Sequence, residues 1–298
     1  LLGFKDATDT NWAADITMME EATELVDRIK NGGILPLMSS SCAAWVRYAE
    51  LYQPTYLENL STSKSPHMMQ GALIKNYYAP TQLKENAADV AVVSIMPCTA
   101  KKYEIDRAEM ETDGVRDVDA VLTVRELVKM IKRRGIDFRR LEGITLDNPL
   151  ADFTKAGKTY IEANGSMEST LRTVASLLED DAFVLPTFKT THGMDFKETT
   201  GLIKEATVTI AGNKLNVAIV QGGAAIKELF IRMKKGKKQY HYIQLSVCPG
   251  GCVNGGGMPI VKDMPIQDVI QRRSESLLSL INEETPIRNA HENDENKK

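Results

Sequence analysis

Four cysteines, each in a turn that follows an apolar run, place the strongest constraint on how this chain folds. The apolar runs lie at 34–38, 88–95 and 241–247, and their composition is typical of buried strands in an α/β sheet. Ligands of open α/β sheets bind beyond the carboxyl ends of the strands. Three such ends would therefore bring the four thiols to one place. The cysteines are Cys42, Cys98, Cys248 and Cys252.

Helical patterns separate these runs. An apolar stripe over 17–31 predicts a helix that Gly32 ends, and further helices are predicted at 121–134, 224–235 and 274–281. The alternation of strands and helices predicts an α/β fold with largely parallel sheets. The polar C-terminal segment 290–298 is predicted to be disordered.

A cysteine in an apolar setting is usually only a small hydrophobic side chain, and this interpretation is favoured for Cys42 or Cys98 taken alone. The pair Cys248 and Cys252, with glycines between and after them, is harder to explain in that way. Zinc sites draw their ligands as closely spaced pairs, whereas these ligands are spread along the chain. The spacing favours an iron–sulfur cluster over zinc, which stays the structural alternative.

Composition excludes several classes of function. The formal net charge is −3, so nothing indicates nucleic acid or an anionic membrane as a partner. No apolar run is long enough for membrane insertion, and the first residues lack the pattern of a signal peptide. Cysteines this sparse do not suggest a secreted disulfide framework. We therefore expect a cytoplasmic protein.

Three segments carry motifs that resemble the signatures of FeFe (iron-only) hydrogenases. Residues 96–104, Met-Pro-Cys-Thr-Ala-Lys-Lys-Tyr-Glu, match the family's Met-Pro-Cys-x-x-Lys-x-x-Glu motif. Residues 248–259, Cys-Pro-Gly-Gly-Cys-Val-Asn-Gly-Gly-Gly-Met-Pro, match another, and residues 39–45, Ser-Ser-Ser-Cys-Ala-Ala-Trp, are a degraded form of the remaining one. Other segments resemble the family in the family's order, so the resemblance covers essentially the whole chain. These segments are 19–25, 64–66, 121–127 and 165–168.

The resemblance implies a cofactor in two parts. The four cysteines would be the metal ligands of a 4Fe-4S cluster, and Cys252 would also bridge to a diiron subcluster with CO, CN and dithiolate ligands. Lys101 would donate to a cyanide, and Met96 would pack beside the diiron unit as an apolar wall. Dedicated maturation proteins would be needed to install this unit. Further contacts to the cofactor are implied for Pro97, Gly250 and Gly251.

The resemblance also implies a path for protons that leads outward from the diiron unit. Without the resemblance, Glu21 and Glu24 would be read as the solvated face of a helix. The residues that match the path by position are Glu24, Glu21, Arg28 and Ser61, with Ser65 beside the cofactor.

Several positions depart from the family pattern, among them Ala43 and Ala44, which replace a Pro-Gly pair. Ser41 stands where the family has a cysteine whose thiol passes protons, and a serine hydroxyl gives up its proton far less readily. Ser246 stands where the family usually has a methionine beside the bridging ligand. We therefore expect slow turnover, as in the branches of the family that are thought to sense hydrogen.

Three functions follow from the resemblance as alternatives. The first is an enzyme that reversibly reduces protons to H2, with ferredoxin or another carrier supplying electrons. The second is a hydrogen sensor in which the same cluster feeds a signalling domain. The third is a structural or assembly homologue that holds a cluster without the diiron unit. For the fold, the resemblance implies two α/β lobes with the cluster in the crevice between them, one formed by 1–85 and 249–298 and the other by 86–248.

Overall fold

A computed structural model describes most of the chain. Parts of the predicted helix 274–281 and of the C-terminal segment 290–298 lie outside the described residues. The described ranges are 1–143, 146–147, 153–161, 163–180, 183–192, 202–236, 238–279 and 289–292.

The described residues form nine strands and nine α-helices, together with a π-helix at Ile74–Leu83 and several short 3-10 helices. The strands are β1 (Leu37–Met38), β2 (Val93–Met96), β3 (Glu111–Thr112), β4 (Val115–Arg116), β5 (Ala120–Thr123), β6 (Lys189–His192), β7 (Leu202–Ile210), β8 (Asn213–Gln221) and β9 (Tyr242–Ser246). The α-helices are α1 (Asn11–Asn31), α2 (Ala43–Tyr52), α3 (Pro66–Leu73), α4 (Lys101–Glu104), α5 (Val124–Arg133), α6 (Lys155–Thr159), α7 (Ala163–Leu177), α8 (Gly223–Lys234) and α9 (Ile266–Ser279). No helix among the described residues has the length and apolar character that a membrane span requires.

The larger sheet has five strands in the order β1-β9-β8-β7-β6. β9 runs parallel to both β1 and β8, whereas β7 is antiparallel to its two neighbours. Because β1 and β9 are parallel, the segments that carry Cys42 and Cys248 leave the sheet at the same edge. The α/β fold with parallel sheets flanked by helices is confirmed.

Helices cover both faces of this sheet. Val217 and Ile219 of β8 pack in a core with α1 and α7, whereas Ala218 and Val220 pack in a second core with α2 and α8. Successive strand residues point to opposite faces, so a strand that is buried on both sides must be apolar throughout. This arrangement explains why the central part of β8 is a continuous apolar run.

A second, parallel sheet pairs β2 with β5, and Met96 lies opposite Thr123. The predicted helix 121–134 is wrong at its beginning, because residues 120–123 form β5. Thr123 is extended and caps α5 through a capping box with Glu126, so the helix begins only at the next residue. Apolar residues lie on both sides of position 123, so they do not show where the strand ends. The cap at Thr123 marks that boundary.

The division into two lobes stays a prediction. Within the larger sheet, β1 belongs to the predicted first lobe and pairs with β9, which belongs to the predicted second lobe. Residues 257 and 97 also join the two parts of the chain, because the Gly257 N–H donates to the Pro97 carbonyl at 2.8 Å.

Candidate functional site

The four thiols lie at the ends of strands from both sheets. Cys42 follows β1 and is the N-cap of α2, and Cys98 follows β2. Cys248 follows β9, and Cys252 begins a short 3-10 helix over residues 252–254. All four cysteines are free and partly buried. The expectation that three strand ends carry the cysteines therefore agrees with the structure.

The thiols lie close enough for the charge of each to affect the others. Burial, together with the charges of the other cysteines, raises the pKa of Cys252 to about 12 and that of Cys248 to about 11. The charge of Lys101 opposes the shift at Cys252. In the part of the chain that the structure describes, no three Cys, His, Asp or Glu side chains are grouped so as to hold a metal ion.

The turn around the paired cysteines depends on glycine. Gly250 and Gly251 have φ values of +78° and +79°, a region that residues with a side chain rarely adopt. At Gly255 a Cβ atom would lie only 2.2 Å from the Pro97 carbonyl oxygen. These glycines allow the segment that follows Cys252 to pack directly on the Cys98 turn.

Backbone amides also point to the sulfur atoms. The N–H groups of Val247 and Trp45 contact Cys42, and that of Gly256 contacts Cys248, and in both cases they favour the thiolate. Burial still outweighs them and raises the pKa of Cys42. Metal coordination deprotonates a thiol outright, so clustered thiols with amide donors suit a cationic cluster.

Lys101 lies beside the thiols in a buried charge network. Its ammonium group, in a residue that is only 9% exposed, donates to the Ser41 carbonyl at 2.9 Å and to Glu104 Oε2 at 2.7 Å. An ammonium has three N–H groups, so these two bonds leave one donor for an anionic ligand. The position agrees with the expected contact to a cyanide.

Glu104 and His67 complete this network. Burial alone would raise the pKa of Glu104, but the charge of Lys101 and the hydrogen bond from His67 hold it at about 2. Burial and the charge of Lys101 lower the pKa of His67. Since an ionised carboxylate only accepts, the neutral imidazole must donate through Nε2 to Glu104 at 2.5 Å, which leaves Nδ1 to accept from Ser94 at 3.0 Å.

Lys101→Met is expected to lower the free energy of unfolding by about 3 to 5 kcal/mol, because it leaves the ionised Glu104 buried without its partner. Adding Glu104→Gln should recover much of this loss. The neighbouring Lys102→Met is the matched control, since its pair with Glu126 is exposed and should contribute little to stability. Denaturant unfolding of the three variants tests this. Equal losses for Lys101→Met and Lys102→Met would contradict it.

Ser41 is held through both of its oxygens. Its carbonyl accepts from Lys101, and its Oγ accepts from the hydroxyl of Tyr160, which follows α6. Tyr160 had no part in the predicted site. It lies 119 residues from Ser41 along the chain, and no local pattern connects the two.

Glu21, on α1, is buried and accepts a hydrogen bond from Tyr242 at 2.7 Å. Its other carboxylate oxygen is buried and has no hydrogen-bond partner among the described residues. Burial and the charge of Glu24 raise the pKa of Glu21 to about 7, although the Tyr242 hydroxyl opposes the shift. A carboxyl with such a pKa can take up and release a proton near neutral pH.

Glu21→Gln is expected to change how stability depends on pH. The carboxyl titrates near 4.5 when unfolded and near 7 when folded, so its protonated form favours the folded state. This contribution is complete below pH 4.5 and is lost as the pH rises through 7, by about 3 kcal/mol in total. Glu21→Gln should therefore be the more stable protein at pH 8 and similar at pH 4. The exposed Glu20→Gln is the control, and a parallel pH profile for both variants would contradict the prediction.

The outer residues of the predicted proton path meet in space. Glu24 accepts from Ser61 Oγ at 2.8 Å and from Arg28 at 2.7 Å. Glu21 interacts with Glu24 through its charge, and among the described residues neither Ser41 nor Ser61 is its hydrogen-bond partner. Two separate hydrogen-bonded groups, Glu21 with Tyr242 and Glu24 with Ser61, thus lie along α1.

The remaining predicted residues have mixed surroundings. The hydroxyls of Ser65 and Ser246 are buried without a hydrogen-bond partner among the described residues. Buried hydroxyls are nearly always satisfied, so each of these has a donor left for a water or a ligand. Met96, in contrast, packs partly buried against the small core around β2 and β5. The amide donors at the thiols and the spare N–H of Lys101 are the features that fit the implied cofactor.

Residues 1–256 match the family described as iron only hydrogenase large subunit, C-terminal domain. The chain is similar to iron hydrogenase 1 of Clostridium pasteurianum, with 43% identity over 98% of this chain and 50% of that protein. It is also 43% identical to the periplasmic Fe hydrogenase large subunit of Nitratidesulfovibrio vulgaris, over 87% of this chain and 61% of that protein. The chain thus spans about half to three fifths of these relatives.

A relative of a different kind is cytosolic iron-sulfur assembly component 3 of Pongo abelii, 30% identical over 96% of this chain and 60% of that protein. Among solved structures, the apo form of an FeFe hydrogenase variant from Chlamydomonas reinhardtii is 29% identical, with a TM-score of 0.82. That match covers 99% of this chain and 79% of the other. The motifs, the strand ends that carry the cysteines and these matches agree, and the chain belongs to the family of the iron-only hydrogenase large subunit, C-terminal domain.

Proposed function

We propose that this chain is the hydrogen-converting domain of an FeFe hydrogenase with slow turnover. It reversibly reduces protons to H2, with ferredoxin or a similar carrier as the electron partner. The observation that carries the proposal is the position of Lys101, a buried cation with a spare N–H next to Cys252 and Ser41. Burying an ammonium costs free energy. A lysine whose role was only to pair with a carboxylate would avoid this cost by lying at the surface.

The cysteines and Lys101 have different roles in holding the cofactor. Cys42, Cys98, Cys248 and Cys252 hold the 4Fe-4S cluster, and Cys252 also holds the diiron subcluster with its CO, CN and dithiolate ligands. When bound, this cofactor supplies the electron relay and the centre at which protons and H2 interconvert. Lys101 donates to a cyanide, and Glu104 with His67 orients Lys101.

Ser41 and the carboxylates of α1 would transfer the protons. Ser41 takes the position of the relay thiol, and its hydroxyl exchanges protons far less readily than a thiol. Glu21 has the pKa of a group that exchanges protons near pH 7, and Glu24 with Ser61 and Arg28 leads outward. This slow first step is the reason for the low turnover that we propose.

Two other functions are supported by particular observations. Ser41 and Ser246 favour a hydrogen sensor. In a sensor, slow turnover would keep the cluster in its hydrogen-bound state long enough for a separate signalling domain to respond. The similarity to cytosolic iron-sulfur assembly component 3 supports a role for a cluster without the diiron unit. The cytoplasmic location stays a prediction, and a relative of the chain is named as periplasmic.

The test is hydrogen evolution from the chain after reconstitution of the 4Fe-4S cluster and loading with synthetic diiron cofactor. Maturation proteins are then not needed, and an artificial reductant replaces ferredoxin. We expect slow evolution that depends on the diiron cofactor, with the chain that carries the 4Fe-4S cluster alone as the control. A loaded chain that retains the diiron unit but evolves no hydrogen would contradict the enzyme and favour the sensor.

A further inference from the structure

Tyr160 brings a second hydroxyl group to the position where the relay residue stands. Its hydroxyl hydrogen-bonds to Ser41 Oγ. Burial, then the charges of Glu21 and Cys252, raise the pKa of Tyr160 well above its usual value, so the phenol lies within electrostatic reach of both groups. Its one hydrogen bond to a predicted site residue, among the described residues, is the bond to Ser41.

The polarity of the bond to Ser41 follows from the two hydroxyls. A phenol is more acidic than an alcohol, so Tyr160 is the donor and Ser41 Oγ the acceptor. A serine hydroxyl has one donor and two acceptor sites. Once Tyr160 occupies an acceptor site, the O–H of Ser41 must point away from Tyr160. Lys101 also holds the Ser41 carbonyl, so the backbone is fixed while the bond from Tyr160 restricts the orientations open to the hydroxyl.

We propose that Tyr160 is a positioning residue for Ser41, which it holds with the O–H directed away from the phenol and available to another acceptor. The inference rests on the proposed function, because it gives Ser41 the task of passing protons. A freely rotating serine would spend only part of its time in the productive orientation. Tyr160 restricts that freedom, so it partly offsets the loss of the thiol.

The kinetic test is a double-mutant cycle in the loaded chain. Tyr160→Phe should lower hydrogen evolution roughly tenfold, because it removes only the hydroxyl that orients Ser41. In the Ser41→Cys background the same change should have an effect of less than about twofold, since a thiol is a weak acceptor and does not need the phenol. Tyr240→Phe is the matched control, because it removes a hydrogen bond to Glu205 in a buried residue on another part of the fold.

A second measurement needs no diiron cofactor. Ultraviolet resonance Raman spectra report whether a tyrosine hydroxyl donates a hydrogen bond, and the difference between the native chain and Tyr160→Phe isolates the signal of Tyr160. In the chain with the 4Fe-4S cluster alone, this signal should be that of a donor and should change in Ser41→Ala. If the loaded chain evolves no hydrogen, the Raman measurement still decides whether Tyr160 donates a hydrogen bond to Ser41.

Three results would overturn the inference. The first is an unchanged rate in Tyr160→Phe. The second is an equal loss of rate in the native and Ser41→Cys backgrounds, which a merely structural role would produce. The third is a Raman signal of Tyr160 that is the same with and without the Ser41 hydroxyl. A selective loss in the native background, with a Raman signal that depends on Ser41, would support it.

Discussion

Cys252→Ser is expected to lose the diiron unit completely and to reduce iron in the reconstituted chain to a small fraction of the native content. Cys252 would serve both parts of the cofactor, so its removal opens the 4Fe-4S cluster and leaves the diiron unit without its protein ligand. No other cysteine can replace it, since the chain has four and the cluster would use them all. Iron and sulfide analysis, with electron paramagnetic resonance of the reduced protein, measures the loss.

Ser246→Ala is the matched control for that experiment. Ser246 ends β9, two residues before Cys248, and its hydroxyl is buried without a hydrogen-bond partner among the described residues. Because we assign it no bond to iron, Ser246→Ala should keep the 4Fe-4S cluster. Circular dichroism of both variants separates loss of the cluster from loss of the fold. Native iron content in a folded Cys252→Ser protein would contradict the ligand assignment.

Ser41→Cys is expected to speed hydrogen evolution by the loaded chain on the order of 100-fold. General acid–base catalysis contributes roughly this much, and it works best when the pKa of the relay lies near the operating pH. A thiol has an ordinary pKa of about 8.5, whereas a serine hydroxyl does not ionise in this range. The measurement is hydrogen evolution with the same artificial reductant and equal cofactor content.

Ser40→Cys is the matched control for Ser41→Cys, because it adds a thiol one residue away. The Ser40 hydroxyl donates to the Ser63 carbonyl at 2.9 Å, so position 40 faces a different part of the fold from Tyr160 and Lys101. We expect no gain from Ser40→Cys. A Ser41→Cys protein that is no faster than the native chain would show that proton transfer at this position does not limit turnover.

The parts of the structure that follow from short sequence patterns could be predicted. The strands before Cys42, Cys98 and Cys248 are set by apolar composition, and the α5 cap is set by Thr123 and Glu126. The run 88–95 is not a buried strand throughout, because residues 87–89 form a 3-10 helix and β2 begins only at Val93 and is half-buried. The boundary between β5 and α5 was misplaced, because residues on both sides of the cap are apolar and only pairing with β2 makes residues 120–123 a strand.

The hydrogen-bond partners of the site could not be predicted, because they come from distant parts of the chain. Tyr242 reaches Glu21 across 221 positions, and Tyr160 reaches Ser41 across 119. Glu104 was within the recognised motif, yet its role depends on His67, which is 37 residues away. Sequence patterns predicted that the thiols and Lys101 belong to one site. The charges and hydrogen bonds around them arise only from the tertiary structure.

The infrared spectrum of the chain after loading with synthetic diiron cofactor tests the central proposal most directly. CO and CN ligands give stretching bands in a region where proteins do not absorb, and the chain with the 4Fe-4S cluster alone is the blank. We expect sharp CO and CN bands that remain after free cofactor is removed, with CN bands that shift in Lys101→Met. A chain that keeps its 4Fe-4S cluster but shows no such bands would contradict the proposed function and favour an assembly role.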